Sequence, residues 1–290
     1  MSISIAETIL QGAHKLRRAG VPEARREAGS LVAFVLGKDR SYILGHAEET
    51  VSDAQARQFL SYLERRAQGE PLQYITGRQE FFGLDFEVTR DVLIPRPETE
   101  LLIETALKLL DGSDSAPFIC DVGTGSGCIA ITLLHELPRA RSLAVDISPA
   151  ALMVAQRNAA RHSVADRIEL KVSDCFAALS STDPSQSSFD LIVSNPPYVE
   201  EGAIAGLQRE VREFEPRIAL TSGDDGLAII RRLLLDAPNF LKTSGFFLFE
   251  IGFNQGAAVE QLIDPNSWKV LDLYQDLQGI PRTVALQKLK

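Results

Sequence analysis

Phe118-Ile119-Cys120-Asp121-Val122 leads straight into Gly123-Thr124-Gly125-Ser126-Gly127, and this stretch decides the fold. The first five residues form a short apolar run of the kind buried as a strand. Three alternating glycines then let the backbone turn sharply and approach a ligand closely. The apolar run Ile129–Leu137 that follows reads as a helix. A strand, a glycine turn and a helix in this order form the opening half of a β-α-β unit.

Further along the chain, short apolar strands at Ser142–Asp146, Ile168–Val172, Leu191–Ser194 and Gly245–Ile251 are separated by helical stretches. That alternation predicts an α/β, Rossmann-like fold, with a mostly parallel sheet covered on both faces. Trp268–Tyr274 and Thr283–Leu286 are also strand-like, but Gln275 to Arg282 is too short for a helical crossover. An antiparallel C-terminal hairpin is therefore expected, making seven strands. Ser180–Ser188 is low in complexity and reads as a mobile surface loop.

Before the glycine turn the pattern changes. Residues 1–76 read as an all-α unit: an apolar-periodic run near 3–19, a helix from Pro22 to before Gly37, another from Ser52 to Gly69, and short turns at 40–45 and 71–76. Glu80–Val88, aromatic with Gly83 at its centre, reads as a hairpin. The expected organisation is a helical domain at 1–76, a hairpin and connecting segment at 77–115, and a catalytic domain at 116–290.

Composition excludes several classes. The net charge is −9, with 11 Lys/Arg against 9 Asp/Glu in residues 1–78 and 19 against 30 in the remainder. So acidic a large domain argues against strong attraction to a phosphate backbone, and no direct nucleic-acid partner is expected. Cys120, Cys128 and Cys175 lack Cys-x-x-Cys spacing, and the four histidines are scattered, so neither disulfides nor a metal site is expected. A reducing cytoplasm suits such cysteines. The absence of a long apolar run argues against a membrane span.

The glycine spacing at 123, 125 and 127 differs from the dinucleotide fingerprint, whose third small residue would fall at Cys128. The loop resembles the first motif of class I methyltransferases, which wraps the methionine and ribose parts of S-adenosylmethionine. Asp146 ends the next strand about 20 residues on, where a carboxylate can accept from ribose hydroxyls. It could instead cap the next helix, although Ser148-Pro149 offers a competing cap. Asp174-Cys175-Phe176 follows the third strand, where this class borders the adenine. Asp174 can accept from the adenine amine or stand as a solvated turn acid.

Strand Leu191–Ser194 runs into Asn195-Pro196-Pro197-Tyr198. Each proline fixes its φ and keeps the preceding residue out of helix, so the loop is rigid. The Asn195 side chain and the Pro196 carbonyl can then converge on the two hydrogens of a planar NH₂ group, with Tyr198 packing against it. An amide nitrogen is weakly nucleophilic because its lone pair is delocalised. Holding both hydrogens orients the lone pair toward a methyl donor and favours the more tetrahedral transition state. The catalytic set is thus Asn195, Pro196 and Tyr198, without a dedicated base.

With these residues placed, the chain resembles the peptide chain release factor N5-glutamine methyltransferase family, also called HemK or PrmC. Gly69–Gly77 (GEPLQYITG), Leu93–Glu100 (LIPRPETE), the Asp121–Gly127 loop and Asn195–Tyr198 carry the resemblance, with Glu210–Leu227 as a further stretch of pocket wall. It implies S-adenosylmethionine-dependent methylation of the glutamine side-chain amide in the Gly-Gly-Gln tip of bacterial class I release factors, supporting translation termination. It also implies that Gly123, Thr124, Gly125, Ser126, Gly127, Asp146 and Asn195 hold the cofactor and that Asn195, Pro196, Pro197 and Tyr198 hold the glutamine. The helical domain would help dock the release factor. An aromatic often follows the Asp174 position in that family; Cys175 stands there here. A ribosomal-protein glutamine methyltransferase, a nucleic-acid amine methyltransferase and a noncatalytic S-adenosylmethionine-binding protein are the competing readings.

Overall fold

The computed structural model describes residues 3–111 and 116–290. The end of the expected connecting segment, 112–115, lies outside the described residues. The chain forms two compact units, Met1–Arg78 with Gln208–Phe214, and Gln79–Leu207 with Glu215–Lys290.

In the first unit, helices α1 (Ile5–Arg18), α2 (Ala24–Leu36), α3 (Arg40–Gly45), α4 (Asp53–Ala67) and α5 (Leu72–Thr76) follow the apolar periodicity. Ser4 with Glu7, and Ser52 with Gln55, form capping boxes that satisfy first-turn N–H groups. Gly37 ends α2 at a φ of 63°, a left-handed cap. Leu16, Ala28, Leu31, Phe59 and Leu63 are buried in the core. The sequence implies an all-α unit, and the structure adds strand to it. Strands β1 (Ile3–Ser4) and β2 (Thr50–Val51) form a short antiparallel ladder. Beside it the N–H groups of Ile5 and Ala6, left without partners by helix geometry, donate to the carbonyls of Glu49 and Ala47.

The helical segment Arg209–Phe214 also belongs to this unit. Its Glu210 pairs with the buried guanidinium of Arg66 at 2.6 Å, and Arg66 also pairs with Glu27. Glu70, itself buried, grips Arg65 through both carboxylate oxygens at 2.7 and 2.9 Å. The GEPLQYITG stretch therefore includes structural ion pairing.

A hairpin follows, β3 (Arg78–Phe81) and β4 (Leu84–Glu87). Phe82 and Gly83 both take positive φ, as a two-residue turn matched to strand twist requires. Helix α6 (Glu100–Leu110) precedes β5 (Phe118–Val122), α7 (Cys128–Glu136), β6 (Arg141–Asp146), α8 (Pro149–Arg161), β7 (Ile168–Val172), β8 (Phe189–Ser194), β9 (Leu241–Glu250), β10 (Trp268–Gln275) and β11 (Pro281–Lys288). The sheet order is β10-β11-β9-β8-β5-β6-β7. Strands β5 to β9 run parallel, and β11 runs antiparallel to β9 and β10. This is the seven-stranded fold expected, including the C-terminal hairpin.

The chain moves outward from β5 to β7 and then returns to β8 on the other side of β5. Strand order thus reverses between β5 and β8, and in open α/β sheets ligands bind at the carboxyl ends flanking such a switch point. The Ser180–Ser188 loop, expected to be mobile, is knit together by Asp183. One carboxylate oxygen accepts from the N–H and hydroxyl of Ser185, the other from the Gln186 amide.

Candidate active site

At the end of β5, Val145 O accepts from the N–H groups of both Gly123 and Thr124 at 2.8 and 3.0 Å, pulling the glycine loop over β6. Asp121 anchors it from below. Its Oδ2 accepts from the Thr124 hydroxyl at 2.6 Å and from Ala130 N–H at 3.3 Å. Its Oδ1 is buried without a hydrogen-bond partner among the described residues. Burial pushes the carboxyl up to about 7, aided by the charge of Asp146 and opposed by these two hydrogen bonds.

Gly127 has a φ of 82°, and a Cβ there would lie 2.7 Å from the Ile131 side chain and 3.2 Å from Ala155. Its role is to let α7 pack against α8. A Cβ on Gly125 would instead meet nothing within 4 Å. That residue lines a cleft with Gly123, Thr124, Ser126, Asp146, Ser148, Asp174, Cys175, Asn195, Pro196 and Pro197. Gly127 and Tyr198 are not among its lining residues.

Asp146 ends β6 with one carboxylate oxygen accepting from Gly125 N–H and the other from Ser148 N–H, each at 2.9 Å. Ser148 itself caps α8, so Asp146 has no capping duty. Burial raises Asp146 above the ordinary carboxylate range, and the backbone N–H groups pull it back. Asp174 is half-exposed and bonds Arg232 at 2.9 Å. Cys175 adopts a φ of 50° and is buried, which pushes its thiol up to about 11.

Strand β8 is tied to β5 by the Ser194 hydroxyl, which donates to Val122 O at 2.7 Å. This sets the Asn195–Tyr198 loop beside the glycine loop. Asn195 Nδ2 donates to Thr99 Oγ1 at 3.1 Å, and Thr99 donates to Glu250 Oε2 at 2.6 Å. The Tyr198 hydroxyl donates to Glu250 Oε1 at 3.1 Å. Tyr198 is thus turned inward onto the end of β9. Burial, with the neighbouring Glu250 charge, holds its phenol well above the ordinary range.

The walls join distant sequence stretches. Arg96 of LIPRPETE bonds Glu215 at 2.7 Å, and the Glu215 side chain is 1% exposed. Pro216, Ile218 and Ala219 then line the cleft. At Gly226 a Cβ would fall 2.2 Å from Tyr198 O, so only glycine allows this close approach. Gln255 Nε2 donates to the same carbonyl at 2.9 Å.

The profile of the PrmC N-terminal domain family matches residues 7–77, and that of the methyltransferase small domain matches residues 97–212. A release factor glutamine methyltransferase of Koribacter versatilis is 46% identical over 274 residues, covering 94% of this chain and 94% of its own. One of Moorella thermoacetica is 42% identical over 279 residues, 96% of this chain and 94% of its own. The chain belongs to the release factor glutamine methyltransferase family. A methyltransferase from Pyrococcus furiosus aligns with a TM-score of 0.52 over 83% of this chain and 100% of its own at 17% identity, a likeness of fold alone.

Two residues that hold the Asn195–Tyr198 loop escape sequence reasoning, Thr99 and Glu250. A signal for Glu250 exists. It is the acid ending the apolar run Phe246–Phe249, at the same carboxyl edge of the sheet as Asp121 and Asp146. Thr99 sits inside LIPRPETE, where nothing in the spacing marks it out from its neighbours.

Proposed function

We propose that this chain transfers the methyl group of S-adenosylmethionine to the side-chain amide nitrogen (N5) of the glutamine in the Gly-Gly-Gln motif of bacterial class I release factors, in the cytoplasm. The observation that carries this reading is the commitment of Asn195 Nδ2 to Thr99, which leaves Oδ1 to accept from a planar NH₂ group at the cleft. Relatives of nearly full-length coverage that bear the release factor glutamine methyltransferase name support the choice of substrate.

The cleft suits the cofactor. Open space above Gly125 admits a ligand against the backbone. Asp146 retains lone pairs for the ribose hydroxyls after accepting two N–H groups, and Asp174 and Cys175 border the adenine position. S-adenosylmethionine supplies an electrophilic methyl group on a sulfonium. Asn195 Oδ1 and the Pro196 carbonyl hold the two amide hydrogens, and Pro197 stiffens the loop. Transfer to that nitrogen would break the carbon–sulfur bond and leave its electron pair on sulfur. The nitrogen then releases one proton to solvent. Tyr198 is neutral and spends its proton on Glu250, so its role is to support the loop rather than to act as a base.

Residues 1–76 form the docking domain in this reading. Labelled methyl transfer to purified release factors with Gly-Gly-Gln and Gly-Gly-Ala tips, beside ribosomal protein and DNA, tests the substrate. Label is expected only on the Gly-Gly-Gln protein. Equal label on the Gly-Gly-Ala protein, or label on DNA alone, contradicts the reading.

A further inference from the structure

We propose that Glu250, acting through Thr99, is a positioning residue that dictates which way the Asn195 amide faces. The inference rests on the reading of Asn195 as acceptor for the substrate NH₂. It begins with the location of the carboxylate. Glu250 is 1% exposed at the end of the apolar run Phe246–Phe249, where an aliphatic side chain would pack without the cost of burying a charge. Both of its oxygens serve the acceptor loop: Oε2 holds Thr99 and Oε1 holds Tyr198.

Donor and acceptor roles then follow in order. Both Glu250 oxygens accept, Oε1 from Tyr198 and Oε2 from Thr99 at 2.6 Å, so the single hydroxyl proton of Thr99 is spent on Oε2. What Thr99 presents to Asn195, 3.1 Å away, is a lone pair. Of the two ends of the Asn195 amide, only the NH₂ end can fill that position, so Oδ1 is held on the opposite side. Without the carboxylate, the Thr99 hydroxyl is free to donate to Asn195, and the amide can turn over and present NH₂ to a substrate NH₂. Two donors then face each other and the acceptor is lost. Polarisation along the chain Glu250–Thr99–Asn195 also strengthens Oδ1 as an acceptor.

The other groups around Glu250 fit this role. Burial, the largest influence, raises the Glu250 carboxyl above its ordinary value with help from Glu98, and the hydrogen bonds from Thr99 and Tyr198 and the charge of Arg282 oppose it. Cys128 also senses the Glu250 charge but is itself buried and held as a thiol, pushed up to about 12. Thr99 and Tyr198 supply the hydrogen bonds that satisfy both buried oxygens.

The test is single-turnover methyl transfer to a Gly-Gly-Gln release factor at saturating S-adenosylmethionine, with cofactor Kd and Tm measured for each variant. Thr99→Val keeps the shape and removes the hydroxyl; a fall of about 10- to 100-fold in rate is expected, with Kd within about 3-fold. Thr99→Ser restores the hydroxyl and is expected to recover most of the rate. Glu250→Gln, close in volume, is expected to lower kcat with little change in KM, and it serves if Thr99→Val does not fold. Asn195→Ala is measured alongside. If Asn195→Ala is slow while Thr99→Val and Glu250→Gln are as fast as wild type, the positioning inference fails and the acceptor reading stands. A wild-type rate for Asn195→Ala overturns both. Equal losses for Thr99→Ser and Thr99→Val that track Tm also overturn the inference, since packing alone would explain them.

Discussion

The two sides of the cleft hold their loops by different means. On the β5–β6 side, Asp146 is fixed by backbone N–H groups of Gly125 and Ser148, and the glycine loop is pulled down by the Val145 carbonyl. On the β8–β9 side, Asn195 and Tyr198 are fixed by side chains, Thr99 and Glu250, from distant parts of the chain. Backbone anchoring builds the cofactor half into the strand–turn–helix unit itself. A side-chain relay makes the acceptor half depend on particular hydroxyl and carboxyl groups, so it is the half that single substitutions should disable most selectively.

The largest effect expected from this difference is at Asn195. In the proposed reading Asn195→Ala removes the acceptor that aligns the reacting NH₂, and losing one or two such contacts predicts a rate lower by roughly 10- to 10⁴-fold. Circular dichroism and cofactor titration should show the fold and most of the affinity retained. Asp146→Ala acts on the other half. Loss of charged hydrogen bonds to the ribose should cost about 1.5–3 kcal/mol of S-adenosylmethionine binding, read by calorimetry. Unchanged affinity would remove Asp146 from the ribose.

Asp121 gives the cofactor half a pH signature. Its carboxyl is raised from 3.8 to about 7 in the folded chain, so between those values the folded state holds a proton that the unfolded chain has released. Stability contributed there is complete below the unfolded value and is lost as pH rises toward 7. Thermal melts of the cofactor-free protein should therefore show wild type losing a few degrees relative to Asp121→Asn between about pH 5 and pH 8. A constant difference across that range would mean that Asp121 is not protonated by burial. The smallest effect should be at Tyr198, where Tyr198→Phe removes one of two hydroxyl donors to Glu250. A fall of about 3- to 10-fold in single-turnover rate with cofactor affinity unchanged is expected; weakened cofactor binding instead would move Tyr198 to the other half.

The contrast between the halves also explains what the sequence could reveal. The glycine loop, Asp146 and the strand alternation are local patterns, since each is set by backbone geometry within about 30 residues. Helix ends were legible for the same reason, with Ser52 and Gly37 at their caps. The Thr99–Glu250 hydrogen bond spans 151 positions, and no spacing rule links its partners. The inward turn of Tyr198 depends on that same carboxylate, and the membership of Gln208–Phe214 in the helical unit involves the long-range Arg66–Glu210 pair. In the Ser180–Ser188 loop, polar composition gives no sign of the local Asp183 hydrogen bonds.

The separation of the two halves is tested most directly by measuring cofactor Kd and single-turnover rate at saturating cofactor in the same two variants, Asn195→Ala and Asp146→Ala. The account predicts a crossed result: Asn195→Ala keeps most of its affinity and loses the rate, whereas Asp146→Ala loses affinity and keeps most of the rate once saturated. If both variants lose affinity and rate in the same proportion, the halves are not separable and the assignment of Asn195 to the glutamine amide is wrong.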